Sequence, residues 1–151
     1  MIQTMKPIHI IIGSQMGAAE YVGDELVSQL ESLGHAVTLH EHPDYSQIPQ
    51  QNVYWLICTA THGGGELPDN ISPFISTLKQ NRPSLSTLQY GIIGLGDKSY
   101  DTFCQAAEDI HQLLVTLGAQ LKGEVLRINA LDPDLPEEYA LNWLPGWLNS
   151  L

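Results

Sequence analysis

The sequence has few positively charged residues. Six Lys and Arg stand against 17 Asp and Glu in a chain of 151 residues, which gives a formal net charge of −11 at pH 7. A chain this acidic repels the phosphates of nucleic acids and the surfaces of anionic membranes. We therefore expect neither nucleic acid nor a membrane as a partner, and we expect a basic protein surface to be attracted.

Cysteine and long apolar runs are also scarce. Cys58 and Cys104 form no C-x-x-C pair, which argues against a disulfide scaffold and against a cysteine-based zinc site. The first apolar run is interrupted at Gly13 and Ser14, before it reaches the length of a signal peptide or a membrane span. These absences predict a cytoplasmic protein with reduced thiols.

The first motif is a strand that leads into a polar turn and then a helix. Residues 8–12, four of which are isoleucine, predict a strand buried on both faces. Helical apolar spacing begins at Ala18 and ends at Gly34. Backbone N–H groups of the turn at residues 13–17 would converge with the helix start, a geometry that attracts phosphate. An ordinary strand-to-helix turn is the alternative interpretation.

Residues missing from this turn exclude two nucleotide-binding classes. ATP and GTP loops need a lysine after the last glycine, but Gly17 is followed by Ala18 and Ala19. The spacing of Gly13 and Gly17 does not fit the dinucleotide pattern G-x-G-x-x-G either. The phosphate, if one binds, therefore belongs to another kind of ligand.

The remaining sequence predicts alternating strands and helices. Strands are predicted at residues 35–39, 53–58, 89–95 and 125–128. One helix is expected to start at Asn70 or Ser72, a longer one to carry Phe103 on its inner side, and a last one to follow residue 136. This order predicts a single domain over residues 1–151, with a doubly wound five-stranded parallel sheet and helices on both faces.

Polar loops at residues 13–17, 59–70 and 96–101 follow strands one, three and four. Carboxyl ends of parallel strands meet at one edge of the sheet, where ligands bind. A phosphate-binding turn, a glycine-rich wall and an aromatic Tyr100 beside Asp97 together fit a flat ring with a phosphate tail. Histidines and carboxylates at residues 40–44 could ligate a metal in principle, but such groups usually form a solvated surface, and no metal is predicted.

The sequence motifs of these loops resemble those of a known family. G-S-Q-M-G-A-A-E at 13–20, T-H-G-G-G-E-L-P-D-N at 61–70 and G-L-G-D-K-S-Y-D-T-F-C at 94–104 are similar to the FMN motifs of flavodoxins and diflavin reductases. The likeness covers nearly the whole chain and is particularly marked for the MioC group of small flavodoxin-like proteins. It implies a flavodoxin-like fold, FMN as the cofactor and electron transfer as the function.

By position, the resemblance also implies which residues bind FMN. The phosphate would lie on Ser14, Gln15, Met16, Gly17, Ala18 and Ala19. The ring edge and one face would lie on Thr59, Ala60, Thr61, His62, Gly63 and Gly64. The ring and ribityl chain would be bordered by Leu95, Gly96, Asp97, Tyr100, Phe103 and Cys104, with Asp132 nearby.

This chain departs from many flavodoxins at two phosphate-loop positions. Met16 and Ala18 stand where many flavodoxins have threonines, so fewer hydroxyl groups are present and FMN retention is expected to be weaker. His62 stands where relatives often have an aromatic residue that stacks on the ring. For Asp97, a role in the turn or as a helix cap is as compatible with the sequence as a flavin contact.

The resemblance implies an electron carrier without catalytic residues of its own. Electrons would come from an NAD(P)H-dependent flavodoxin reductase docked on the acidic face, because the chain has no room for a nicotinamide-binding domain, and would pass to an acceptor such as biotin synthase. An FMN oxidoreductase that acts directly on NAD(P)H and a flavin-free interaction module remain alternatives. Receiver domains and low-molecular-weight phosphatases are disfavoured, because the acidic cluster and the C-x5-R loop that they need are missing.

Overall fold

The computed structural model describes residues 6–14, 17–62, 64–99, 101–129, 132 and 135–151. The strands are β1 (Ile8–Gly13), β2 (Val37–His40), β3 (Tyr54–Ala60), β4 (Gln89–Gly96), β5 (Gln120–Leu121) and β6 (Leu126–Asn129). The helices are α1 (Ala18–Ser32), α2 (Ser72–Asn81), α3 (Gln105–Thr116) and α4 (Pro136–Ser150), with a short 3-10 helix at Tyr45–Gln47.

Every strand pairing in the described part of the sheet is parallel, in the order β2-β1-β3-β4-β5, and β6 also pairs with β4. The chain runs outward from β1 to β2 and then returns to β3 on the other side of β1. The direction of winding therefore reverses between β1 and β3. The predicted doubly wound parallel sheet is confirmed.

Helices cover both faces of the sheet, which explains the isoleucine-rich first strand. Ile8, Ile10 and Ile12 pack with α1 and α4, whereas Ile11 packs with α2 and α3. All six residues of β1 are buried. A strand between two helical layers has no solvent face, so apolar residues continue along it without alternation.

The edge strand next to β4 is divided, where the sequence predicted one strand at residues 125–128. The short β5 pairs with the beginning of β4, and β6 pairs with its end. Between them Gly123 has a φ of +68°, and Trp143 donates a hydrogen bond from Nε1 to the Glu124 carbonyl at 2.9 Å. The chain thus leaves the sheet to pack on α4. A two-residue strand is too short to leave a periodic sequence signal.

One helix start differs from the prediction, and another agrees with one of its two predicted alternatives. Helix α3 begins at Gln105, after Cys104 with a φ of +56°, so Phe103 lies in the preceding turn rather than on the helix. Helix α2 begins at Ser72, with Ile71 as its N-cap residue, and Asn70 does not cap it. The side chain of Asn70 makes other contacts, described below. Within the described ranges, no helix has the length and apolar character needed to cross a membrane.

Candidate functional site

The carboxyl ends of β1, β3 and β4 lie level with one another. Gly13 is the register partner of Thr59, and Thr59 is the partner of Gly94. The loops that follow these strands therefore leave the same edge of the sheet, beside the reversal between β1 and β3. The structure brings together the loops that the sequence analysis selected.

The first loop presents an uncapped helix start. Gly17 is the N-cap residue of α1, with a φ of +89°, and no side chain of the described residues caps the helix. Its N–H donates to Ser14 Oγ at 3.1 Å. Among the described residues, a side chain at Gly17 would meet nothing closer than Tyr21 Cε2 at 3.9 Å, so this part of the chain leaves space open beside the helix start. First-turn N–H groups of a helix lack intrahelical acceptors, and such a terminus favours an anion.

Two predicted phosphate-site residues, Gln15 and Met16, lie outside the described residues, as do Gly63 and Tyr100 in the other two loops. Their predicted contacts with FMN stay predictions. Ala18, the first residue of α1, is half-buried and packs at the margin of the core between α1 and the sheet.

The second loop folds back on itself. His62 and Glu66 exchange backbone hydrogen bonds, and Gly65 donates from its N–H to the His62 carbonyl at 2.7 Å. The Gly64 N–H donates to Glu66 Oε2 at 3.1 Å. His62, Gly64 and Glu66 are exposed. The loop thus presents the side chains of His62 and Glu66 and the backbone at Gly64 to solvent at the predicted ring-binding position.

Thr61 ties the second loop to the third. Its N–H donates to the Leu95 carbonyl at 3.1 Å, and its Oγ1 accepts a hydrogen bond from the Ala106 N–H at 3.1 Å. Gly65, with a φ of +101°, also approaches this loop: a Cβ there would lie 3.2 Å from Thr102 Cγ2. Gly65 thus combines a left-handed backbone conformation with a close approach to the third loop, and both conditions favour glycine.

In the third loop Asp97 organises the turn. Its Oδ1 accepts hydrogen bonds from Ser99 N at 2.9 Å and from Ser99 Oγ at 2.6 Å. The Lys98 N–H donates to Asn129 Oδ1 at 3.3 Å, which links the loop to the end of β6. These contacts account for Asp97 as a turn residue, and its contact with FMN stays a prediction.

Phe103 and Asp132 both line a cavity of about 180 Å³. The other lining residues are Lys98, Arg127, Ile128, Asn129 and Tyr139. Arg127 forms an ion pair with Glu108. Pockets that enclose drug-sized ligands typically measure roughly 300–1,000 Å³, so this cavity alone is too small for a nucleotide such as FMN. Another cavity, of about 480 Å³, lies between residues 43–46 and the start of α2 and contains none of the predicted site residues.

Some predicted site residues lie beneath the loops, not at their surface. Ala19, Thr59 and Cys104 are fully buried, and Leu95 is 2% exposed. Burial raises the pKa of the Cys104 thiol to about 11, so this thiol stays protonated at neutral pH. Thr59 Oγ1 donates to the Ala60 carbonyl at 3.0 Å. These side chains support the loops by packing. Ala60, Gly96 and Phe103 are half-buried at the edge itself.

Asn70 is a site residue that the sequence analysis did not select. Its Oδ1 accepts a hydrogen bond from the Ser14 N–H at 2.9 Å, and its Nδ2 donates to the Ile12 and Glu41 carbonyls, each at 2.8 Å. It thereby joins the second loop to the first across 56 residues of sequence. The only sequence signal was its place at the end of the 61–70 motif, where it was interpreted as a candidate helix start.

A histidine pair lies between β1 and β2. His9 Nδ1 and His40 Nε2 are 2.8 Å apart, and the rings stack with a centroid distance of 5.1 Å. Burial lowers the pKa of both side chains, and the neighbouring His9 lowers the pKa of His40 further. Among the described residues, no group of three or more His, Cys, Asp or Glu side chains is placed to hold a metal ion.

Comparisons with known proteins agree with this geometry. The flavodoxin family model matches residues 10–143. The chain is 42% identical over 147 residues to protein MioC of Escherichia coli K12, which covers 97% of this chain and 99% of that protein. It is 36% identical over 144 residues to flavodoxin YqcA of the same organism, covering 95% of this chain and 97% of YqcA.

A solved structure shows the same fold. A cysteine-to-alanine mutant of flavodoxin from Pseudomonas aeruginosa superposes with a TM-score of 0.88 at 31% identity and covers 96% of this chain and 98% of that one. The family match, the identities and the loop geometry lead to one conclusion. This chain belongs to the flavodoxin family of FMN-binding electron-transfer proteins.

Proposed function

We propose that this protein is an electron carrier that accepts electrons from an NAD(P)H-dependent flavodoxin reductase and delivers them to an acceptor enzyme. The observation that carries the proposal is the convergence of the open start of α1 with the loops after β3 and β4 at one edge of the sheet. This edge combines a helix terminus of the kind that favours an anion with a wall of backbone. Both are needed to hold a flat ring by a phosphate tail.

The first loop would hold the phosphate. Ser14 Oγ accepts from the Gly17 N–H, and that bond does not use the hydroxyl hydrogen, which can be donated to a phosphate oxygen. Backbone N–H groups of Gln15, Met16, Ala18 and Ala19 and the positive end of the α1 dipole would complete the site. The Ser14 N–H is already donated to Asn70, so Ser14 would contribute through its hydroxyl group.

The second and third loops would border the ring. Ala60, Thr61, His62, Gly63 and Gly64 would lie on one side. Leu95, Gly96, Asp97, Tyr100, Phe103 and Asp132 would lie on the other. When bound, FMN supplies a group that takes up one or two electrons, and the protein sets which of its charge states is stable. Glu66, Asp69, Asp97 and Asp101 surround the edge with negative charge, which disfavours additional negative charge on the cofactor.

In this proposal, electrons would enter from a partner protein. The described part of the chain forms one sheet, whose carboxyl edge is occupied by the loops above, and it shows no second sheet for a nicotinamide dinucleotide. A net charge of −11 favours docking of a basic surface. Biotin synthase, which the resemblance of the motifs to the MioC group implies, is proposed as a candidate acceptor.

Reduction of the FMN-loaded protein tests the carrier role. We expect the flavin absorbance in the blue to stay unchanged with NADPH alone and to bleach when a catalytic amount of a flavodoxin reductase is added. Rapid bleaching by NADPH alone would identify an oxidoreductase instead. Failure of the folded protein to take up FMN would favour a flavin-free interaction module.

A further inference from the structure

Asn70 connects separate segments at the edge of the sheet. It lies in the loop after β3, yet its side-chain amide binds the end of β1 at Ile12 and Ser14 and the segment after β2 at Glu41. The three distances, 2.8 to 2.9 Å, are typical of well-formed hydrogen bonds. One side chain therefore fixes the relative position of these segments.

The asparagine amide is the group that this place requires. Its oxygen accepts from an N–H, and both of its N–H groups donate to carbonyl oxygens, so the side chain uses acceptor and donors together. Aspartate would keep the acceptor but would place a negative oxygen against the Ile12 and Glu41 carbonyls. Alanine would leave the half-buried Ser14 N–H and both carbonyls without this partner.

The contact at Ser14 matters most for the cofactor. Ser14 is 8% exposed, and its hydroxyl oxygen accepts from Gly17, the N-cap residue of α1. Asn70 holds the backbone of Ser14, and Ser14 in turn binds the residue that starts the helix. This chain of hydrogen bonds runs from the second loop to the start of α1.

We propose that Asn70 is the positioning residue of the phosphate loop. It touches the loop's backbone and sets the place of the Ser14 hydroxyl relative to the helix start. The part of the FMN affinity that comes from the phosphate group therefore depends on Asn70. The inference rests on the proposed function, because it requires that the first loop holds the phosphate.

Riboflavin has the same ring as FMN but no phosphate. Comparison of the two flavins therefore distinguishes a role of Asn70 in positioning the phosphate loop from a general effect of Asn70 on the fold. The experiment measures dissociation constants of both flavins by fluorescence quenching for the wild type, Asn70→Ala, Asn70→Asp and the matched control Asn142→Ala, which changes an exposed residue of α4. We expect Asn70→Ala to weaken FMN binding about tenfold, the equivalent of one hydrogen bond, and riboflavin binding by less than about threefold.

Asn70→Asp adds a negative charge near the phosphate, so its loss of FMN affinity should be at least as large and should diminish as salt is added. If thermal unfolding shows that Asn70→Ala is not folded, the Asn70→Asp variant is used for the test instead. The Asn142→Ala control should leave both dissociation constants unchanged.

The outcomes separate the two claims. If wild type binds FMN but the Asn70 variants weaken FMN and riboflavin by the same factor, Asn70 is a structural residue only and the inference is wrong. A wild-type protein that binds neither flavin overturns the proposed function itself.

Discussion

At the scale of single residues, short polar side chains that bind backbone groups organise the candidate site. Thr61 joins the loops after β3 and β4, Asp97 closes its own turn, and Asn70 joins the loops after β1 and β3. Such side chains reach only a few ångströms and have few rotatable bonds. They therefore fix loop geometry at a low entropic cost.

Restoring a hydroxyl group to the phosphate loop is predicted to strengthen FMN binding. Ala18 is the first residue of α1, and threonine at this position would add a donor near the open helix start. We expect Ala18→Thr to tighten FMN binding by about threefold to tenfold, the equivalent of one net hydrogen bond, without changing riboflavin binding. Ala18→Val, which has the same shape without the hydroxyl, is the control. Equal effects of both variants would contradict the explanation.

The His9–His40 pair is predicted to make the fold sensitive to acid. Burial lowers the pKa of both histidines below the ordinary value of 6.5, so the unfolded chain binds protons more readily than the folded chain. Well above pH 6.5 both histidines are neutral in the folded and in the unfolded chain, and the pair has no effect on the pH dependence of stability. As the pH drops through 6.5, the unfolded chain takes up protons first, so the free energy of unfolding falls. Urea denaturation between pH 7.5 and about 5 measures this slope.

Replacement of one histidine should reduce that slope. We expect His40→Gln to show a shallower loss of stability with falling pH than wild type. His42→Gln, which changes a nearby exposed histidine outside the pair, serves as the control. An unchanged slope in His40→Gln would show that other groups govern the acid sensitivity.

Residue-scale chemistry was only partly predictable from the sequence. The buried isoleucines of β1 and the glycine at the start of α1 follow from local spacing and backbone geometry. The partners of Asn70 and the stacking of His9 on His40 do not, because each contact joins segments distant in sequence; the two histidines, for example, are 31 positions apart. No pattern within a short stretch of sequence predicts such a pairing.

At the scale of elements, α4 packs against the sheet through its tryptophans. Trp147 is 1% exposed, stacks on Trp143 at 5.9 Å and meets Tyr54 edge-on at 6.4 Å. A Cβ at Gly91 of β4 would lie 2.4 Å from Trp147 Nε1. Gly91 therefore provides the room in which the indole lies. In the part of the chain that the structure describes, Trp147 Nε1 has no hydrogen-bond partner.

Two glycine substitutions are predicted to have opposite effects on stability. Gly91→Ala would force the buried Trp147 ring to shift and should lower the free energy of unfolding by about 1–3 kcal/mol. Gly146→Ala changes an exposed position inside α4 where a Cβ would meet no described residue within 4 Å, and it should raise the free energy of unfolding by about 0.5–1 kcal/mol. Urea denaturation measures both. A change of the same sign in both variants would contradict this account of α4 packing.

The long, strongly patterned elements were predictable, and the divided edge strand was not. The apolar residues of α1 are spaced for a helix that is buried on one face. Those of the central strands β1, β3 and β4 form the continuous runs expected of strands buried on both faces. The division of the edge strand depends on how Gly123 meets Trp147, a contact between distant residues. That residues 1–151 form a single domain stays a prediction.

At the scale of the whole molecule, the acidic surface is predicted to control the rate of electron transfer. A net charge of −11 speeds the encounter with a basic partner surface at low salt, and dissolved ions screen this attraction over about 10 Å at 0.1 M. We expect the second-order rate of reduction by a flavodoxin reductase to fall when salt is raised from 0.05 to about 0.5 M. Stopped-flow absorbance measures it. A rate that rises steadily with salt would exclude docking on the acidic face.

The central claim is that loops after β1, β3 and β4 form one FMN site at the carboxyl edge of the sheet. Titration of FMN with the folded protein tests this claim most directly, with the flavin fluorescence as the signal. The account predicts saturable quenching at one FMN per chain, and weaker binding of riboflavin because it lacks the phosphate. FMN that keeps its free-solution fluorescence in the presence of excess folded protein would contradict the account.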